Sequence, residues 1–131
     1  MGSFSDYWEN EILDHLFGKN NYTPPTIHVG LSTADPGDDG AGLNEPTGNG
    51  YARVHTEPAD WNVAASGLLD NANTITFNVA TGNWGTLTHF ALFDAASGGN
   101  MLAHGALTQA KIVSSGDTAR CVAGDLEVTL D

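Results

Sequence analysis

Short apolar runs with a two-residue period, each closed by a glycine-rich turn, constrain this chain more than any other feature. The clearest case is Thr88–Asp131, THFALFDAASGGNMLAHGALTQAKIVSSGDTARCVAGDLEVTLD. Alternation of this kind puts apolar side chains on one face of an extended chain, and the glycines supply the turns. In Thr86–Asp94, Phe90 and Leu92 fall on one side and Ala91 and Phe93 on the other. A strand that is apolar on both faces belongs at the centre of a sheet. Ala96-Ser-Gly-Gly-Asn100 reads as a hairpin loop, because Gly98 and Gly99 accept positive φ without steric penalty. Met101–Leu107 is its partner strand, and Ile112–Val113, Ala119–Val122 and Leu126–Leu130 continue the pattern.

Upstream, Thr26–Thr33 alternates with Ile27, Val29 and Leu31 on one face and His28 and Ser32 on the other. Tyr51–Thr56 is a further strand. Thr74–Thr81 is another, with Ile75, Phe77 and Val79 on one face. Asp60–Ala65 reads as a short strand or an extended lead-in, and Leu68–Leu69 fits either state. About seven or eight strands at intervals of roughly 8–15 residues predict a mainly β fold. The expected architecture is a single antiparallel β-sandwich, jelly-roll or Ig-like, in one domain spanning residues 1–131.

One helix precedes the strands, over about residues 4–17. Ser3 or Ser5 caps it, and Asp6 and Glu9 occupy the first turns, where the helix dipole favours acids. Phe4, Trp8, Ile12, Leu13 and Leu16 follow a helical period, with Tyr7 beside them. Gly18 and Asn20–Asn21 stop it. So apolar a face requires burial, on its own sheet or on a neighbour.

The second irregular feature is Ala34–Gly50, ADPGDDGAGLNEPTGNG. Loops of this length are often functional. Asp35, Asp38, Asp39 and Glu45 offer oxygens that suit Ca²⁺, but their spacing is not that of an EF-hand, and a solvated turn is the simpler reading. No metal or cofactor is therefore expected.

Four basic residues stand against sixteen acidic ones, a net charge of -12. Such a surface repels nucleic-acid phosphates and anionic membranes, so neither is an expected partner. No stretch approaches the roughly 20 apolar residues of a membrane span. Nor does a basic segment followed by an apolar run mark secretion. The expectation is a soluble protein made in a reducing cytoplasm. Catalytic signals are missing as well: there is no G-x-S-x-G elbow, phosphate loop or dinucleotide fingerprint. The histidines His15, His28, His55, His89 and His104 show no metal-binding spacing and read as ordinary strand or helix residues. Cys121 reads as a small buried hydrophobe. Tyr51, Trp61 and Trp84 suit stacking on sugar rings, although aromatics near strand ends more often plug the edge of a core. A glycosidase would need a carboxylate pair that the sequence does not single out.

Three segments together, IHVGLSTADPGDDGAGLNEPTGNGYARV, THFALFDAASGGNMLAHGAL and SSGDTARCVAGDLEVTLD, resemble a family of small tailed-phage virion proteins. The resemblance extends to the start, FSDYWENEILDHLFG. Members are labelled tail-fibre-like, and others are similar to capsid decoration (cement) proteins with a β-sandwich fold. The resemblance implies a non-enzymatic structural protein, made in the host bacterial cytoplasm and carried on the virion. Its first implication is a cement protein on the capsid outer surface, binding the major capsid protein and itself as a trimer. Its second is a tail-associated protein that recognises a cell-surface glycan through Tyr51, Trp61 and the acidic loop. The expected contact residues are Phe4, Tyr7, Trp8, Ile12 and Leu16 on the helix, Asp35, Asp38, Asp39 and Leu43 on the loop, and Tyr51.

Overall fold

Glycine decides how the chain begins. In the computed structural model, which describes residues 2–130, Gly2–Phe4 forms a strand, β1, beside Met101–Val113 (β7) and Glu127–Thr129 (β9). A Cβ on Gly2 would stand 2.3 Å from the His104 carbonyl oxygen, so only glycine lets the two backbones approach at the Gly2–Gly105 pair. Phe4 is therefore a strand residue and not the first residue of the helix. Helix α1 runs over Asp6–Leu16, with Ser5 as its cap: the Ser5 hydroxyl accepts the Trp8 N–H at 3.3 Å. The same hydroxyl donates to the Met101 carbonyl at 2.5 Å, which fixes the start of the helix to β7.

The remaining strands are β2 (His28–Ser32), β3 (Val54–His55), β4 (Leu68–Asp70), β5 (Ile75–Val79), β6 (Gly85–Phe93) and β8 (Thr118–Cys121). Seven strands form one curled sheet in the order β3-β2-β6-β7-β1-β9-β4, and β5 and β8 form a second. The fold is mainly β and sandwich-like, as expected, with one N-terminal helix. It departs from the antiparallel expectation at one place, since β1 and β9 run parallel. The stretch around Asp60–Ala65 is not a strand: Pro58–Asp60 is a turn of 3-10 helix, and Trp61 makes an isolated bridge to Asn71.

Strand β6 lies between β2 and β7, which accounts for its two apolar faces. Phe90 and Leu92 enter the main core with Val29, Leu31, Leu102 and Val128. Sheet β5–β8 covers the other part of that core, adding Ile75, Phe77, Ala119 and Cys121 to Trp84, Leu87 and Leu126. Burial raises the Cys121 thiol to about 11, the behaviour of a packed hydrophobe. Val79 breaks the expected alternation. The β5–β8 register shifts between Thr76 and Val79, so Val79 turns outward and Ala80 takes the buried place. The opposite face of β6 is covered by the acidic loop. Pro36 is fully buried, Ser32 Oγ accepts the Asn44 N–H at 3.0 Å, and Asp38 Oδ1 meets His104 Nε2 at 2.8 Å.

Glu45, Tyr51 and Arg53 close the edge of β2. Strand β3 stops opposite His28 and Val29, so the Leu31 N–H on that edge lacks a strand partner. The Tyr51 hydroxyl accepts it at 3.0 Å and donates to Glu45 Oε2 at 2.6 Å. The ring stacks on Phe77 and meets Trp84 edge-on, with centroids 6.3 and 5.2 Å away. Burial, followed by the hydrogen bond to Glu45, pushes the Tyr51 phenol far above its ordinary value of 10.0. In the unfolded chain the phenol ionises near that ordinary value, whereas the folded state retains its proton. Stability is thus intact below about pH 10 and declines as pH rises further. Urea midpoints measured from pH 8 to 11 should fall above pH 10, and Tyr51→Phe should flatten the decline. An equal decline in the variant would refute this account.

Candidate functional site

The two edge strands of the curled sheet are very short, β3 having two residues and β4 three. They cannot close the sheet, and a cleft of about 810 Å³ opens between them into the core. Its walls come from the segments that sequence periodicity resolves least. Pro24-Pro25-Thr26-Ile27 leads into β2, and Thr56–Gly67 links β3 to β4. Prolines at 24, 25 and 58 have no N–H to offer to a ladder, which keeps these walls from becoming strands.

Buried Leu92 and Val128 lie deep in the cleft, while Phe4 and Trp8 bring β1 and α1 to it with their rings 4.6 Å apart. Ile27, Trp61 and Leu69 continue the apolar lining, and Val63 and Leu130 stand exposed at its rim. The polar atoms of the aromatic residues are satisfied within the chain. Trp8 Nε1 donates to the Tyr22 hydroxyl and Trp61 Nε1 to Thr56 Oγ1, each at 2.9 Å. Thr56 Oγ1 in turn donates to the Ile27 carbonyl at 2.7 Å. Among the described residues, Glu57 is the one charged group on the lining. This is a site for apolar contact, with little capacity to recognise a polar ligand.

The expected contact residues do not form one surface. Phe4 and Trp8 reach the cleft, and Tyr7 packs against the core with them. Ile12 is half-buried. Further along the helix, Leu13, Leu16 and Phe17 are 55%, 70% and 75% exposed. The helix thus docks through its first two turns and leaves an apolar tip uncovered.

The acidic loop lies elsewhere, over the outer face of β2, β6 and β7, and two of its acids, Asp35 and Asp38, face the same His104 ring at 3.8 and 2.8 Å. Asp35 Oδ1 accepts the Gly37 N–H and Asp39 Oδ1 the Ala41 N–H, while Asp38 holds His104. Leu43 is half-buried in the same loop. Glu45 is bound to Tyr51 and Arg53, well apart in role from the other three. No group of three or more His, Cys, Asp or Glu is placed to hold a metal ion among the described residues. Tyr51 faces inward, Trp61 lines the cleft and the loop covers another face, so these three do not compose a single glycan surface.

The strand histidines fall into two pairs. His28 and His55 meet across β2 and β3 with ring centroids 5.4 Å apart, and burial followed by the His55 charge lowers His28 from its ordinary value. His89 and His104 line a small polar hollow of about 340 Å³ with Ser3, Asp35 and Thr129.

Sequence periodicity identified Phe4, Trp8 and Trp61 but not the cleft that collects them with Leu69, Leu92, Val128 and Val63. The available signal was the poor strand pattern of residues 56–67, bracketed by prolines at 24–25 and 58. A family model described as Podophage GP4 fiber I protein gp80 matches residues 3–129.

Proposed function

Because the chain belongs to the podophage GP4 fiber I protein gp80 family, we propose that it is a non-enzymatic structural component of the phage fibre apparatus. The observation that carries this reading is the extent of the match, residues 3–129, which reaches every element of the fold from β1 to β9. Virion location and a phage structural role follow from the family. What is proposed is the place on the particle and the absence of catalysis.

The head-decoration reading pairs the chain with the major capsid protein as a trimer on the capsid surface. It draws on the β-sandwich fold, which the fibre reading uses equally. The family description supports the fibre reading more than the head reading. Within the fibre, the apolar cleft and helix tip support a role in assembly more than direct glycan recognition, since the cleft presents few free polar groups.

Cryo-electron microscopy of virions carrying an affinity tag on this protein, decorated with a tag-binding antibody fragment, tests the assignment. The added density should sit on fibres attached to the tail. Density confined to the head lattice would overturn the fibre reading.

A further inference from the structure

We infer that the apolar cleft receives the helix tip of a second copy of this chain. The inference holds independently of where on the particle the protein sits.

The chemistry of the cleft selects the class of occupant. Its tryptophan N–H groups and the Thr56 hydroxyl already bond within the chain. A sugar or nucleotide would leave its hydroxyls without replacement for the water they lose, at a cost for each group. Apolar side chains carry no such cost and gain from leaving water.

The same chain displays a matching insert. Leu13, Leu16 and Phe17 stand exposed at the C-terminal end of α1. Successive helical residues are about 100° apart, so these three fall within one arc and Asp14 lies outside it. The tip cannot serve its own cleft. Trp8 of the same helix already lines that cleft, and Leu16 lies roughly 12 Å further along the axis at about 1.5 Å per residue.

Charge supplies the second argument. Copies with a net charge of -12 repel each other over most of their surface. Contact is least opposed where a cation meets an acid. Lys19, one of four basic residues in the chain, follows the tip after Gly18, and Glu57, an exposed carboxylate that also meets His55 at 2.6 Å, is the charged residue on the cleft lining among the described residues. Seating the tip in a neighbour's cleft brings these two groups to the same rim. Each copy then gives one tip and receives one.

Sedimentation of the full chain at rising concentration tests this, using exposed positions whose substitution leaves the core intact. Phe17→Asp alters the tip and Val63→Asp the cleft rim. The wild type should associate with concentration, and each variant alone should weaken association more than tenfold. A mixture of the two retains one intact tip and one intact cleft, so it should form a one-to-one dimer. A wild type that remains a 13.7 kDa monomer up to about 1 mM would overturn the proposal. So would variants that associate like the wild type, or a mixture that does not pair. Trp fluorescence changes on adding a purified bacterial surface oligosaccharide to a persistently monomeric chain would assign the cleft to a glycan instead.

Discussion

Replacing Arg53 with alanine should destabilise the fold by about 3–5 kcal/mol, the range for removing one member of a buried ion pair. The Arg53 side chain is 7% exposed and that of Glu45 17%. The guanidinium donates to both Glu45 oxygens, at distances from 2.6 to 3.2 Å, and to the carbonyls of Ala95 and Gly98 at 2.9 Å. Its carbon sits 3.4 Å from the centroid of the Phe93 ring. Truncation strands the Glu45 carboxylate beside Tyr51 and uncovers Phe93 together. It also releases the β6–β7 hairpin loop from the acidic loop, so early proteolysis should appear around Ala95–Gly99. Urea denaturation of the variant measures the first effect. A loss below about 1 kcal/mol would mean that the pair is solvated and does not hold the loop.

Asn71→Leu is the second large loss, expected at about 3–5 kcal/mol, because the buried Leu126 N–H and Cys121 carbonyl lose this partner without gaining water. Asn71 is fully buried. Its Nδ2 donates to the carbonyls of Asn73, Cys121 and Val122, at 2.9, 3.3 and 3.0 Å, and its Oδ1 accepts the Leu126 N–H at 2.9 Å. One side chain thus ties the turn between β8 and β9 to the segment that follows β4. Leucine keeps the volume and removes every bond. Hydrogen exchange gives a local reading: the Leu126 amide should exchange much faster in the variant, beyond the change at Phe90. Uniform acceleration would point to general loosening and not to this contact.

These two residues show where sequence legibility ends. Strands with strict alternation were legible, because period-two burial is a local property of an extended chain. The centrality of β6 followed from the apolar pairs Phe90–Leu92 and Ala91–Phe93. Phe4 reads as helical because its spacing to Trp8 and Ile12 fits a helix, whereas the Gly2–Gly105 approach, set more than one hundred residues away, draws it into a strand. Val79 faces outward although it continues the alternation of Ile75 and Phe77, because a bulge leaves no mark in an alternating run. The acidic loop looked solvated by composition, yet Pro36 and Glu45 pack beneath it, since a loop can satisfy its own backbone through turns such as those at Asp35 and Asp39. The cleft was the least legible feature. It arises from the shortness of β3 and β4, and the side chains that line it come from β1, α1, β4, β6 and β9 and from the linkers at 24–27 and 56–67.

The parallel pairing of β1 with β9 gives the molecule a mechanical character. The two strands point the same way, with Gly2 opposite Val128 and Ser3 opposite Thr129. Tension drawn through the two ends of the described chain pulls β1 backward and β9 forward along their common axis. The backbone bonds between them are then loaded together in shear, and they cannot open one after another as in a peeled hairpin. Each strand is also held on its far side, β1 by β7 and β9 by β4. Survival under such a pull depends on the rate of unfolding and not on equilibrium stability. A fold built this way resists a pull along its ends until several backbone bonds yield together.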